Sequence, residues 1–174
     1  MFGKQNLFLI GPMGAGKSAV GKQLARLLGY PFYDSDHEIE QRTGADIALI
    51  FEREGEAGFR RRERAVLTDL TARERIVLAT GGGAVLDPDS RQELAARGCV
   101  VYLDTSVAQQ AERTARTRHR PLLHGADPVQ RLEELMRVRA PLYREIADIT
   151  IETNHSRVRS VAERILQQYR EHCG

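Results

Sequence analysis

Eight consecutive residues, Gly11-Pro12-Met13-Gly14-Ala15-Gly16-Lys17-Ser18, constrain this chain more than any other stretch. They satisfy G-x-x-x-x-G-K-[ST] in full, the pattern of a phosphate-binding loop between a strand and a helix. The flanks agree. Asn6–Ile10 reads as a short buried strand, and Lys17–Leu28 places apolar residues at 20, 24, 27 and 28, a helical stripe ended by Gly29. The glycines let backbone N–H groups turn toward an anion, and the helix N-terminus adds positive potential. Lys17 is placed to reach the β/γ-phosphates and Ser18 to ligate Mg2+. The signal is a nucleoside triphosphate with its metal. It does not name the reaction.

Beyond this loop, apolar runs and amphipathic stretches alternate. Strands are expected at Tyr30–Tyr33, Arg75–Ala79, Cys99–Leu103 and Ile149–Ile151. Helices are expected at Asp36–Arg42, Ile47–Glu54, Ala57–Ala72, Pro88–Arg97, from Val107 to about Ala115, at Val129–Ile146 and at Ser156–Arg170. Arg116–Pro128 is polar and irregular. The alternation implies an α/β fold with a parallel sheet covered on both faces, whose ligands bind beyond the carboxyl ends of the strands. At 174 residues the chain is one domain, long enough to bury about 70% of its unfolded surface.

Composition removes several classes. No run approaches the roughly 20 apolar residues of a membrane helix. The opening residues lack the pattern of a signal peptide. Cys99 and Cys173 are too few for a disulfide framework and offer no CxxC pair for zinc, so a reducing cytoplasm is the expected setting. Cys99 opens a buried strand and reads as inert, and Cys173 falls at a frayed terminus. The formal charge of +2 lacks the basic excess of a nucleic-acid binder. The five histidines show no metal-ligand spacing.

Four further features fall at strand ends. Asp34-Ser35-Asp36 has two readings, helix N-capping or a pair of carboxylates in the cleft. In the second, one lies near the metal and one accepts the proton of an attacking hydroxyl. Gly81-Gly82-Gly83 costs backbone entropy but permits close approach to a ligand. Asp104 ends its strand without a second acid, which fits a loop carboxylate better than a motor-type ATPase. Three lysines, none in an N-K-x-D context, argue against a GTPase switch. Among the arginines, Arg60 lies three residues from Glu63, which can orient it. Arg113, Arg116, Arg118 and Arg120 crowd a loop that reads either as solvated surface or as a lid closing over phosphates.

Taken together these motifs resemble the shikimate kinases over nearly the whole chain, from Asn6 to about Tyr169. The resemblance rests on the loop at 11–18, Asp34-Ser35-Asp36, Glu38-Ile39-Glu40-Gln41-Arg42-Thr43-Gly44 and Phe59-Arg60-Arg61. It continues through Gly81-Gly82-Gly83-Ala84-Val85, Arg120-Pro121-Leu122-Leu123 and Arg139-Ala140-Pro141-Leu142-Tyr143. The resemblance implies a P-loop three-layer α/β/α fold with a five-stranded parallel sheet of order 2-3-1-4-5. It also implies a substrate-binding region over about 34–62 and a lid over about 113–126. It further implies ATP- and Mg2+-dependent phosphorylation of the 3-hydroxyl of shikimate, on the route to chorismate and aromatic amino acids.

Matched position by position, Asp36 binds the attacking hydroxyl and acts as base, while Asp34, with Ser18, lies near Mg2+. Arg60 and Arg139 clamp the shikimate carboxylate, and Gly81, Gly82 and Gly83 line the acceptor. Lys17 and the lid residue Arg120 face the phosphates. ATP contacts run over Gly14, Ala15, Gly16, Lys17, Ser18 and Ala19, with Arg113, Arg120 and His155 toward the nucleotide. Arginine suits the clamp because its planar fork fits a carboxylate bidentately. A kinase acting on another small acceptor, gluconate or a nucleoside monophosphate, is the alternative. A nucleotide switch or ATPase module is disfavoured by the near-neutral charge. A monomer is expected, without nucleic-acid or membrane partners.

Overall fold

The computed structural model describes residues 4–115 and 127–174. Five strands form one parallel sheet: β1 (Leu7–Ile10), β2 (Phe32–Asp34), β3 (Val77–Ala79), β4 (Cys99–Asp104) and β5 (Ile149–Glu152). Their order is β2-β3-β1-β4-β5, as the resemblance implied. The register sets Leu7 beside Val77 and Cys99, and Val101 beside Ile149. Among the described residues seven α-helices accompany them: α1 (Lys17–Leu28), α2 (Ser35–Thr43), α3 (Ile47–Thr71), α4 (Pro88–Arg97), α5 (Val107–Thr114), α6 (Pro128–Ile146) and α7 (Val158–His172).

The period-two alternation of a strand explains the layering. Leu7 and Leu9 point to one face, where Val20 and Leu24 of α1 and Val161, Ile165 and Tyr169 of α7 cover them. Phe8 and Ile10 point to the other face, among Phe59, Val66 and Leu70 of α3, Leu94 of α4 and Tyr143 of α6. All four strand residues are fully buried. A strand apolar on both faces is what a sheet sandwiched between helices needs.

Two segments differ from the sequence expectation. The helices expected at Ile47–Glu54 and Ala57–Ala72 run on as α3, bent at Gly55, whose φ of 72° and ψ of −179° no helical residue adopts. Gly55 thus marks the break that the pattern suggested, while its freedom at positive φ lets hydrogen bonding resume at once. The cysteines also need correction. Cys99 at the start of β4 and Cys173 after α7 have Cα atoms 6.1 Å apart, and their sulfurs are in bonding contact as a disulfide. Cys173 is not frayed. Its amide donates to Tyr169 O at 2.9 Å and its carbonyl accepts from Lys4 N at 3.0 Å. No pattern in the sequence announces a contact across 74 residues. Among the described residues no helix is long and apolar enough to cross a membrane.

Candidate active site

The carboxyl ends of β1, β2 and β3 open onto a cavity of about 660 Å³. Its wall includes Gly14, Gly16, Lys17, Ser18 and Ala19 from the first loop, Asp34 and Asp36 from the second, Gly81 and Gly82 from the third, and Arg113. Gly16 caps α1 with φ 90°, in the left-handed region where a side chain would be strained. The Lys17 ammonium folds back on the loop, donating to the carbonyls of Gly11 at 2.6 Å and Pro12 at 2.7 Å. It therefore sits over the cradle where an incoming phosphate would arrive.

Asp34 caps α2 and also faces the cavity, one oxygen to each side. One oxygen, Oδ1, N-caps α2 by accepting from Asp36 N at 3.0 Å and His37 N at 3.2 Å. The other, Oδ2, accepts the hydroxyl of Ser18. A hydroxyl and a carboxylate side by side on the cavity wall are the oxygen donors a hard divalent cation takes. The residues present therefore fit Mg2+.

A second cluster is built around the triple glycine. Arg60 on α3 donates through Nη1 to Glu63 Oε1 at 2.9 Å and through Nη2 to Glu56 Oε1 at 3.3 Å. Its guanidinium lies so close to Gly83 that a Cβ there would overlap it. A Cβ on Gly81 would sit 2.7 Å from Asp36 Oδ1 and 2.9 Å from Glu63 Oε2, so both carboxylates converge on that glycine. Arg139 of α6 is only 4% exposed and reaches Gly82, where a Cβ would be 3.4 Å from Nη1. Arg60, Gly83 and Arg139 are not on the wall of the large cavity itself. They touch it through the glycine loop.

Burial pushes the Glu63 carboxyl up to about 7, against the pull of Arg60 and with the help of the nearby Asp36 charge. Burial likewise lowers the Arg139 guanidinium from its ordinary value. Within this cluster Arg60 Nε and Glu63 Oε2 are buried without a hydrogen-bond partner among the described residues. Buried polar groups are rarely left so, and an ordered water, an ion or a functional role is the usual reason.

Two contributors escaped the sequence reading. The Tyr143 hydroxyl, one helical turn after Arg139, donates to Gly82 O at 2.5 Å. The buried Ser35 hydroxyl accepts Gly81 N at 2.9 Å. Each pins the glycine loop to a neighbouring element. Tyr143 was visible only as part of a motif string, and Ser35 only as the spacer between two aspartates.

Arg113 donates to Gly14 O at 2.8 Å and Thr153 O at 3.1 Å, tying the glycine-lysine loop to the segment after β5. His155 stands exposed in that segment at φ 55°, its amide held by Gln109 Oε1 at 3.1 Å. Ala15 is buried behind the loop. Asp104 accepts from the Tyr102 hydroxyl at 3.3 Å and is not part of the cavity wall, in keeping with a loop carboxylate. Arg120 and the lid segment from 116 onward lie outside the described residues.

Known proteins bear on this arrangement. The sequence profile of the family described as shikimate kinase matches residues 13–170. The shikimate kinase of Methylococcus capsulatus is 59% identical over 169 residues, spanning 97% of this chain and 94% of that relative. The structure of the shikimate kinase from Acinetobacter baumannii in complex with shikimate superposes with a TM-score of 0.94 at 54% identity. It covers 96% of this chain and 93% of that one. A gluconokinase from Sinorhizobium meliloti, at 17% identity and a TM-score of 0.61, shares the fold alone.

Proposed function

The chain belongs to the shikimate kinase family, and from that premise we propose that it transfers the γ-phosphoryl group of ATP to the 3-hydroxyl of shikimate. The products are shikimate 3-phosphate and ADP. The observation that carries the assignment of roles is the convergence of Arg60, Glu63, Asp36 and Arg139 on Gly81–Gly83, beside the phosphate loop and with buried polar atoms still unsatisfied.

In this reading Arg60 and Arg139 receive the carboxylate of shikimate. Two guanidinium forks fix the ring in one orientation, which a single point charge does not. Asp36 accepts the hydrogen of the attacking hydroxyl and takes up its proton as the bond to phosphorus forms. Lys17, with the backbone amides of Gly14, Ala15 and Gly16, stabilises charge on the phosphoryl oxygens. Positioning and electrostatics supply most of the acceleration in such transfers. Ser18 and Asp34 would hold Mg2+, which supplies charge neutralisation at the phosphates when bound. Ala19 and Arg113 flank the phosphates, His155 lies on the adenine side, and Arg120 enters as a lid arginine from its motif.

The protein is read as a cytoplasmic monomer on the route to chorismate. Gluconate is the second acceptor to test, since it also carries a carboxylate and hydroxyls. ADP release is measured with Mg-ATP and shikimate, gluconate, AMP or no acceptor. Turnover with shikimate alone, abolished by EDTA, is the expected result. Turnover with another acceptor, or without one, overturns the roles given to Asp36, Arg60 and Arg139.

A further inference from the structure

Far from the site, at the amino ends of the strands, the two cysteines meet in a defined setting. Cys99 is fully buried and Cys173 is 8% exposed. Their Cα separation of 6.1 Å falls in the range a disulfide spans without backbone movement. The pair is held there by other contacts. Lys4 N donates to Cys173 O at 3.0 Å, the Tyr169 hydroxyl donates to Lys4 O at 3.0 Å, and Cys99 N donates to Asn6 O at 2.8 Å. Asp148 brings a carboxylate oxygen within 4.8 Å of both sulfurs. That carboxylate is already engaged, accepting from Val100 N at 2.9 Å and Lys4 Nζ at 3.3 Å. The sulfurs are bonded to each other, and Asp148 Oδ2 stays in its hydrogen bonds to Val100 N and Lys4 Nζ.

We propose that Cys99 and Cys173 form a reversible thiol–disulfide site, which locks α7 to the first residue of β4 and leaves catalysis untouched. Cys173 reacts first, because the end of a helix opens more readily than a central strand. Its thiolate attacks a low-molecular-weight disulfide such as oxidised glutathione, forming a mixed disulfide and releasing one glutathione thiolate. Cys99, losing its proton, then attacks the Cys173 sulfur and displaces the second glutathione. The two protein thiols give up two electrons and two protons, and the small disulfide leaves as two thiols. A dithiol reductant reverses the sequence.

The bond closes a loop containing β4, α5, α6, β5 and α7, so it restricts the unfolded chain. Oxidised protein is expected to melt roughly 5–10 °C above reduced protein. Cys99 lies five strand steps, at about 3.3 Å each, from the site end of β4. Its kcat and both KM values are therefore expected to agree within about twofold between the two forms.

The test equilibrates the full chain with graded ratios of oxidised to reduced glutathione. It then reads free thiols and intact mass, and compares melting and activity. Wild type is expected to lose both thiols together and two hydrogens of mass. Cys99→Ser is expected to accumulate one glutathionyl group at Cys173, and Cys173→Ser none. Two titratable thiols at every ratio, or an adduct at Cys99 in Cys173→Ser protein, overturn the proposal. So do equal melting temperatures of the two forms, or a stoichiometric metal released only on thiol alkylation.

Discussion

Arg60 and Glu63 face each other across one turn of α3 at 2.9 Å, and the acid of this pair is the more deeply buried partner. The carboxylate holds the guanidinium against Gly83, where the proposed function places the acceptor's carboxylate. It also competes with that anion for the same donors.

This competition makes acceptor binding depend on pH. Burial raises the folded-state value for Glu63 to about 7 from 4.5. Its contribution to stability is therefore complete below about 4.5 and lost as pH rises through about 7. A substrate carboxylate arriving on Arg60 pushes Glu63 further up, so binding takes up a proton. The KM for shikimate should fall as pH is lowered from about 8 to about 6. Glu63→Gln, which keeps an acceptor for Arg60, should flatten that profile and remove the matching slope in melting temperature. A slope in the KM profile that persists in the variant contradicts the assignment.

The Gly83 contact gives a second handle. Gly83→Ala places a methyl where the Arg60 guanidinium lies, and a long side chain can swing away at small cost to the fold. Steady-state kinetics should show a shikimate KM raised about tenfold or more, with the ATP KM within about twofold and melting changed by only a few degrees. An unchanged shikimate KM separates Arg60 from the acceptor.

At Asp34 the observed cap can be separated from the proposed metal role. Asparagine is as good an N-cap as aspartate but carries no charge. Asp34→Asn should therefore keep the melting temperature and lose activity, with a weakened response to Mg2+. Asp34→Ala should lose both, with melting lowered by roughly 2–4 °C for the missing cap. Full activity in Asp34→Asn removes this residue from the metal site.

Arg113→Ala breaks the bridge between Gly14 and Thr153. The ATP KM should rise several-fold while the shikimate KM holds, as read from crossed substrate titrations. The reverse pattern would move Arg113 to the acceptor side.

Most of the architecture was legible because it is local. The apolar run ending at Ile10, the glycine-lysine loop and the stripe on α1 follow one another within 23 residues, and each fixes the next. Asp34, Asp36 and Gly81–Gly83 were legible as strand-end positions because a parallel sheet gathers those ends on one side. Other features depend on contacts that no spacing encodes. The pairing of Cys99 with Cys173 needs α7 laid against the sheet. The hold of Tyr143 on Gly82 needs the packing of α6. That Asp34 caps α2 with one oxygen and turns the other to Ser18 was invisible, because either contact alone calls for the same residue.

Everything assigned to the acceptor rests on the proposal that Arg60 and Arg139 hold its carboxylate. Arg139→Lys tests it most directly, because lysine keeps the charge and most of the buried stem but loses the planar fork. Shikimate and ATP KM values are measured beside wild type, with melting temperature as a control on folding. A shikimate KM raised about 10- to 100-fold with the ATP KM nearly unchanged is expected. A shikimate KM equal to wild type in a folded Arg139→Lys protein would contradict it.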